Sequence, residues 1–247
     1  MKISTIITAF CLAICFSTTN IFAQEAHHDK AIQQFYTAYM TNSVPAWKIS
    51  LGQLEKHTDD ASLLLLAKGY YAASGTAMGN QDKDLAGEML EKAEAVNKAI
   101  LAKDKKSPEA NALMSSIYGM KIGLSPMKGM FLGSKSSAAA EKGVTLDPEN
   151  AFTNYVKGNY LFYTPSMFGG DVEESITFLK KAQQLFEQTG TTQTWEYLAT
   201  MAVLGQAYHS EEKYDEAIAT YETALAVAPN FGYVGKYLLP MTKKAVK

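Results

Sequence analysis

MAVLGQAYHSEEKYDEAIATYETALAVAP, residues 201–229, is the stretch whose reading decides the fold. Met201, Leu204-Gly205, Tyr208, Ala217, Tyr221, Ala224 and Pro229 are spaced as two amphipathic helices joined by a polar turn, Ser210-Glu211-Glu212-Lys213-Tyr214. Gly205 and Ala217 are small where two antiparallel helices must approach closely, and Leu204, Tyr208, Tyr221 and Leu225 fill the space around them. Pro229-Asn230 stops the second helix and opens the next. One helical hairpin results.

Upstream the same grammar recurs with looser spacing. Ala139 to Asn150 reads as the end of one unit and the start of another; Asn150 to Phe162 then forms a first helix with Gly158 in the small slot. Its partner, Asp171 to Phe186, carries Ser175, Phe178 and Ala182 at second-helix positions. A further copy has Gly69 in its first helix, a second helix from about Asp82 to Asp104, and a stop at Pro108. The pattern predicts five hairpins, over residues 26–56, 59–104, 109–146, 150–187 and 195–227, with a terminal helix from about 231 that Pro240 bends or shortens. Trp47 and Leu51 anchor the faint first hairpin.

The clearest unit, residues 198–231, resembles a tetratricopeptide repeat (TPR), with Met201 where the repeat leads with Trp. The resemblance implies an all-α fold: a TPR-like α-solenoid of about five antiparallel helix hairpins plus a C-terminal capping helix, over residues 24–247. It also implies a concave surface lined by first-helix side chains. Carried over residue by residue, that surface is Tyr70, Ser116, Tyr155, Asn159, Phe162, Gln206 and His209, a set that is aromatic and polar rather than basic, although some of these rings read equally well as core. Ala202 and Gln206 do not match the carboxylate clamp of some TPR domains.

The N-terminus reads as a cleavable signal peptide over residues 1–23: Lys2, an apolar run from Ile6 to Phe16, and Ile21-Phe22-Ala23 before Gln24. A retained anchor, or lipid attachment at Cys15, is the alternative; bulky Ile14 argues against the second. The expected location is periplasmic or secreted. Both cysteines, Cys11 and Cys15, fall in this segment, so the mature chain has no thiol for a disulfide or a metal. Its core alone must hold it together, and no later segment reads as a membrane span.

Charge is nearly balanced, with 23 basic and 25 acidic residues, and every basic residue is lysine. Nucleic acid is therefore not an expected partner, and bidentate guanidinium recognition of phosphate is excluded. Two insertions depart from a plain array. Gly119 to Gly133 places Met120, Met127, Met130 and Phe131 among glycines, and reads either as a flexible lid or as a short irregular helix tucked over the core. Tyr163 to Asp171 ends in Gly169-Gly170-Asp171, a tight turn with Asp171 as N-cap ahead of Glu173 and Glu174. A Gly-Gly-Asp turn of this kind is similar to one in exported bacterial TPR-like proteins, among them accessory components of tripartite periplasmic transporters.

No nucleophile elbow, phosphate-binding glycine loop or His-Glu-x-x-His motif is present. Acid pairs such as Asp59-Asp60, Glu173-Glu174 and Glu211-Glu212 lie at helix starts or turns, where capping accounts for them. His27-His28-Asp29 with Glu25 is the one candidate metal cluster; because adjacent histidines point to different sides of a helix, the expectation is no metal and no cofactor. His57 falls in a polar turn, and His209 suits the C-terminus of its helix. The expected function is a non-enzymatic exported scaffold that binds a protein or peptide. The alternative is a small-ligand carrier or transport accessory that takes an apolar ligand.

Overall fold

A computed structural model describes residues 26–246. The segment expected to be a signal peptide, and Glu25 after it, lie outside the described residues. Eleven helices follow one another with no strand among the described residues: α1 (residues 26–40), α2 (Val44–Leu54), α3 (Asp60–Gly79), α4 (Lys83–Lys103), α5 (Pro108–Leu124), α6 (Gly129–Leu146), α7 (Ala151–Tyr163), α8 (Val172–Gln188), α9 (Trp195–Ser210), α10 (Tyr214–Val227) and α11 (Leu239–Ala245). Consecutive helices pair as five antiparallel hairpins, and their ends fall within about two residues of those the sequence pattern predicts.

Local chemistry fixes the helix starts. Ser43, Asp59, Asp82, Ser107, Asn150, Asp171 and Thr194 each accept a hydrogen bond from the backbone N–H three residues on, closing the N-termini of α2, α3, α4, α5, α7, α8 and α9. Asp171 thus caps α8 as the sequence predicts, and both glycines before it are required. Gly169 has φ +92°, and a Cβ on Gly170 would meet the Thr164 carbonyl oxygen at 1.6 Å.

Three hairpin tips share one tight turn. Asn42, Gln81 and Glu212 take positive φ (52°, 64° and 58°), and in each turn the next residue's N–H reaches back five residues: Ser43 to Ala38, Asp82 to Ala77 and Lys213 to Tyr208, all at 2.9 Å. This bond closes the C-terminus of the first helix in a Schellman-type cap. The tips of the third and fourth hairpins are built differently. The Gly119–Gly133 segment is neither a lid nor tucked away: α5 continues to Leu124, a 3-10 turn spans Pro126–Lys128, and α6 starts at Gly129. Pro126 forces the break by holding Ser125 in an extended conformation (φ −147°, ψ 95°). The fourth tip carries a second 3-10 turn, Ser166–Phe168.

Within and between hairpins the helices meet at small residues. A Cβ on Gly205 would lie 2.2 Å from the Tyr221 ring, one on Gly158 2.6 Å from Leu179, one on Gly143 2.7 Å from Ala112, and one on Gly69 2.5 Å from Phe35. Large side chains such as Trp47, Phe35, Leu113, Leu179, Leu198 and Tyr221 fill the space around these contacts and are fully buried. After α10 the chain turns at Pro229-Asn230 and runs through a wider π-helical stretch, Val234–Leu238, into α11. The wide turn precedes Pro240, which lacks an N–H and crowds the carbonyl four residues back.

The array curls far enough for its ends to touch. The Tyr36 hydroxyl in α1 donates to the Val227 carbonyl at 3.1 Å, and the Tyr39 ring lies 5.9 Å from Trp195 and 5.7 Å from Phe231. Among the described residues no helix is long and apolar enough to cross a membrane.

Two substitutions test the packing. Gly205→Ala drives a methyl into the Tyr221 ring and should lower stability by about 2 kcal/mol in chemical denaturation. Gly87→Ala, in α4 with nothing within 4 Å of the added carbon, should raise stability by about 0.5–1 kcal/mol through helix propensity.

Candidate functional site

Curling of the array fills its concave side. Of the seven residues expected to line an open groove, Tyr155 and Ser116 are sealed at 4% and 6% exposure. Tyr70 is turned the other way, into a contact with Glu55 and beside Lys92, between the second helices of hairpins one and two. His209 is covered by α11: its Nδ1 lies 2.9 Å from Thr242 Oγ1, and its ring packs edge-on against Tyr214. Asn159, Phe162 and Gln206 remain half-buried. The expectation of an open groove fails because each added hairpin rotates the next, a geometry that no single repeat encodes.

Tyrosines occupy the centre instead. Tyr39 from α1, Tyr71 from α3, Tyr155 and Tyr163 from α7, and Tyr233 at the start of the terminal helix lie within electrostatic reach of one another. Trp195 stands among them, 6.2 Å from the Tyr71 ring and 6.4 Å from Tyr155, with a buried Nε1–H that has no hydrogen-bond partner among the described residues. Burial raises the hydroxyl pKa of all five tyrosines; Tyr163, beside Gln206, is pushed up to about 12. At neutral pH the centre is therefore uncharged, and its hydroxyls can both donate and accept.

Beside Tyr155 lies a buried ion triad. Lys68 of α3 reaches Glu109 at 2.5 Å and Glu196 at 3.6 Å, and its ammonium sits 4.0 Å above the Phe152 ring. Burial alone pulls Lys68 downward, but the two carboxylates outweigh it and hold the ammonium charged. Burial likewise works against an ionised Glu109, yet Lys68 and the Asn150 amide, 2.8 Å away, keep its carboxyl below the usual range. For Glu196 burial prevails and its carboxyl is raised. One cation is thus shared unequally by two acids, and the triad ties α3, α5 and α9 together; removing a single partner would strand a buried charge.

Tyr163 and Tyr233 form the open edge of this centre, 59% and 47% exposed, and the most exposed apolar side chains lie elsewhere. Met127, Met130 and Phe131 at the third tip are 82%, 85% and 72% exposed, and Met167 and Phe168 at the fourth are 80% and 67%. Because consecutive helices are antiparallel, the hairpin tips all fall along one edge of the array, where these two are neighbours. The sequence singled out both segments, and their exposure follows from the 3-10 turns, Pro126–Lys128 and Ser166–Phe168, that build these tips beyond the helix packing.

A second cluster corrects a premise. His27 and His28 were expected to diverge, but their Nε2 atoms lie 3.0 and 2.8 Å from the same Ser62 hydroxyl. His57 stacks on His27 at 3.8 Å, and Asp59 stands beside both. The two rings bend toward the α2–α3 loop because the Asp59-capped start of α3 offers them the oxygens. The sequence signal was present in His57-Thr58-Asp59, but it lay about 30 residues from its partners.

This is a TPR-like solenoid of antiparallel helical hairpins. Residues 168–230, spanning α8 to α10, match the tetratricopeptide repeat family model. A thermophilic TPR protein from Thermus thermophilus, TTC0263, superposes with a TM-score of 0.55 at 17% identity, covering 88% of this chain and 98% of that one. The HusA haemophore from Porphyromonas gingivalis gives a TM-score of 0.57 at 14% identity over 74% of this chain and 93% of its own. At these identities the likeness is one of fold. No curated protein matches the sequence.

The tyrosine centre sets an alkaline limit. A tyrosine whose folded pKa exceeds its ordinary 10.0 stabilises the fold fully below pH 10, and that contribution is lost as pH rises through the folded value. Helix content, followed by circular dichroism, should therefore fall together with the rise of tyrosinate absorbance above pH 10. Tyr155→Phe should move that midpoint upward.

Proposed function

We propose that the chain is a non-enzymatic, exported scaffold that grips a protein or peptide through the third and fourth hairpin tips. The observation that carries this reading is the pair of neighbouring tips presenting Met127, Met130, Phe131, Met167 and Phe168 to solvent. The other three tips are tight, polar turns. Large exposed apolar groups mark contact surfaces, and methionine adapts its shape to varied partners at low conformational cost. The filled concave side argues for a rim or tip contact rather than a peptide threaded along the groove. Export to the periplasm or beyond rests on the signal segment at residues 1–23, and the repeat fold supports binding rather than catalysis.

A second reading has its own observation. The tyrosine centre offers an apolar small molecule the exposed Tyr163 and Tyr233 rings to stack on and, once the centre opens, the unpartnered Trp195 Nε1–H as a donor for one acceptor atom. HusA, similar in fold, is a haemophore, and a carrier of an apolar ligand is the role this reading assigns.

Affinity purification from the native envelope followed by native mass spectrometry separates the two. A stoichiometric protein partner that is retained by the wild type and lost, by tenfold or more in recovery, from Met127→Glu/Met130→Glu/Phe131→Glu supports the scaffold. The circular dichroism of that variant should be unchanged, because none of the three side chains packs in the core. A bound small molecule with no protein partner, unaffected by the triple substitution, replaces it with the carrier.

A further inference from the structure

We propose that His27, His28, His57 and Asp59 form a binding site for a divalent first-row transition-metal ion of the zinc type. The site joins the first turn of α1 to the loop between α2 and α3. One donor atom from each of His27, His57 and Asp59 lies within 4.8 Å of the other two. His28 Nε2 is 3.3 Å from Asp59 Oδ1, and His27 Nε2 is 4.0 Å from Asp59 Oδ2. In a tetrahedral zinc site with bonds of about 2.0–2.2 Å, donors sit roughly 3.3–3.6 Å apart. The His27, His57 and Asp59 donors already converge, and rotation of the His28 side chain about its contact with Asp59 supplies the fourth.

Chemistry of the donors selects the ion. Three imidazoles and one carboxylate suit zinc, nickel or copper, whereas calcium and magnesium demand an oxygen shell. Asp59 is already oriented for the role: its carboxylate accepts from the Ser62 N–H at 3.0 Å and the Ser62 O–H at 2.6 Å, which fixes its plane. Since the Ser62 hydroxyl gives its proton to Asp59, the His27 and His28 Nε2 atoms facing it are the donors in the ion-free network. A bound ion takes the place of those two protons, and each ring then carries its hydrogen on Nδ1. The side chains of His27 and His28 retain 21% and 19% exposure and that of Asp59 31%, so an ion can enter from solvent. His27 and His57 also line a cleft of about 270 Å³ shared with Lys30, Gln34 and Gln53. Lys30 is the one lysine lining that cleft, and its flexible stem lets it turn outward. Bound there, the ion would fasten the start of α1 to the second hairpin.

Zinc titration of the untagged protein by calorimetry, paired with cobalt as a spectroscopic stand-in, tests the site. The expected result is one equivalent of zinc bound in the micromolar range or tighter, and a cobalt complex with the intense absorption of tetrahedral geometry. His27→Gln/His57→Gln should weaken zinc binding by at least about tenfold and abolish that absorption. His209→Gln, far from the cluster, should change neither. Asp59→Asn, which keeps the α3 cap, should weaken zinc while leaving the melting temperature of the ion-free protein in place. Absence of stoichiometric zinc binding overturns the proposal, as does binding that survives in the double variant. If the double variant does not fold, a weak octahedral cobalt spectrum in the wild type overturns it equally.

Discussion

Close approach of helix backbones at a few side-chain-free positions is the constraint on which the rest of this structure depends. Gly69, Gly143, Gly158 and Gly205 each bring a helix so near its neighbour that a single methyl group would overlap Phe35, Ala112, Leu179 or Tyr221. Ridge-into-groove packing at that distance sets the angle between helices, and that angle, repeated from one hairpin to the next, sets the curl of the array. Tyr221 shows the coupling well: its ring covers Gly205 and lies fully buried, so the glycine and the tyrosine specify each other.

This logic explains why so much of the fold was legible in the chain. Glycine slots, capping residues and the Pro229 stop act over a few residues, and each leaves its mark within one repeat. The five hairpins and the Asp171 cap could be read for that reason. The curl could not. The Tyr36 to Val227 bond links residues 191 apart, and nothing local to either residue announces it. That is why Tyr155 and Ser116, correctly placed on first helices, belong to a filled centre rather than an open groove. Tyr70 shows a different limit, because neighbours in sequence on a helix face different sides: Tyr71 enters the centre while Tyr70 packs outward on Glu55.

Chemistry was less legible than architecture for the same physical reason. The residue types of the histidine cluster were noticed, but its geometry depends on α1 laying its first turn against the Asp59 end of α3, a tertiary contact. The Lys68 triad was invisible for a related cause: Lys68, Glu109 and Glu196 stand in three different hairpins, and each looks like an ordinary surface charge in its own window. The exposed tips were the easiest to notice, since Met127, Met130 and Phe131 break a polar-turn rule obeyed at three other tips.

Contact between the first and last hairpins changes the statistics of the molecule. An ordinary linear solenoid has two free ends, each held by one neighbour, and melts inward from them. Here the end units hold one another through Tyr36, Tyr39, Trp195 and Phe231. The chain is linear by covalent bonds yet cyclic in its interfaces, so loosening either terminus removes a neighbour from both, and fraying gives way to concerted opening at a single seam.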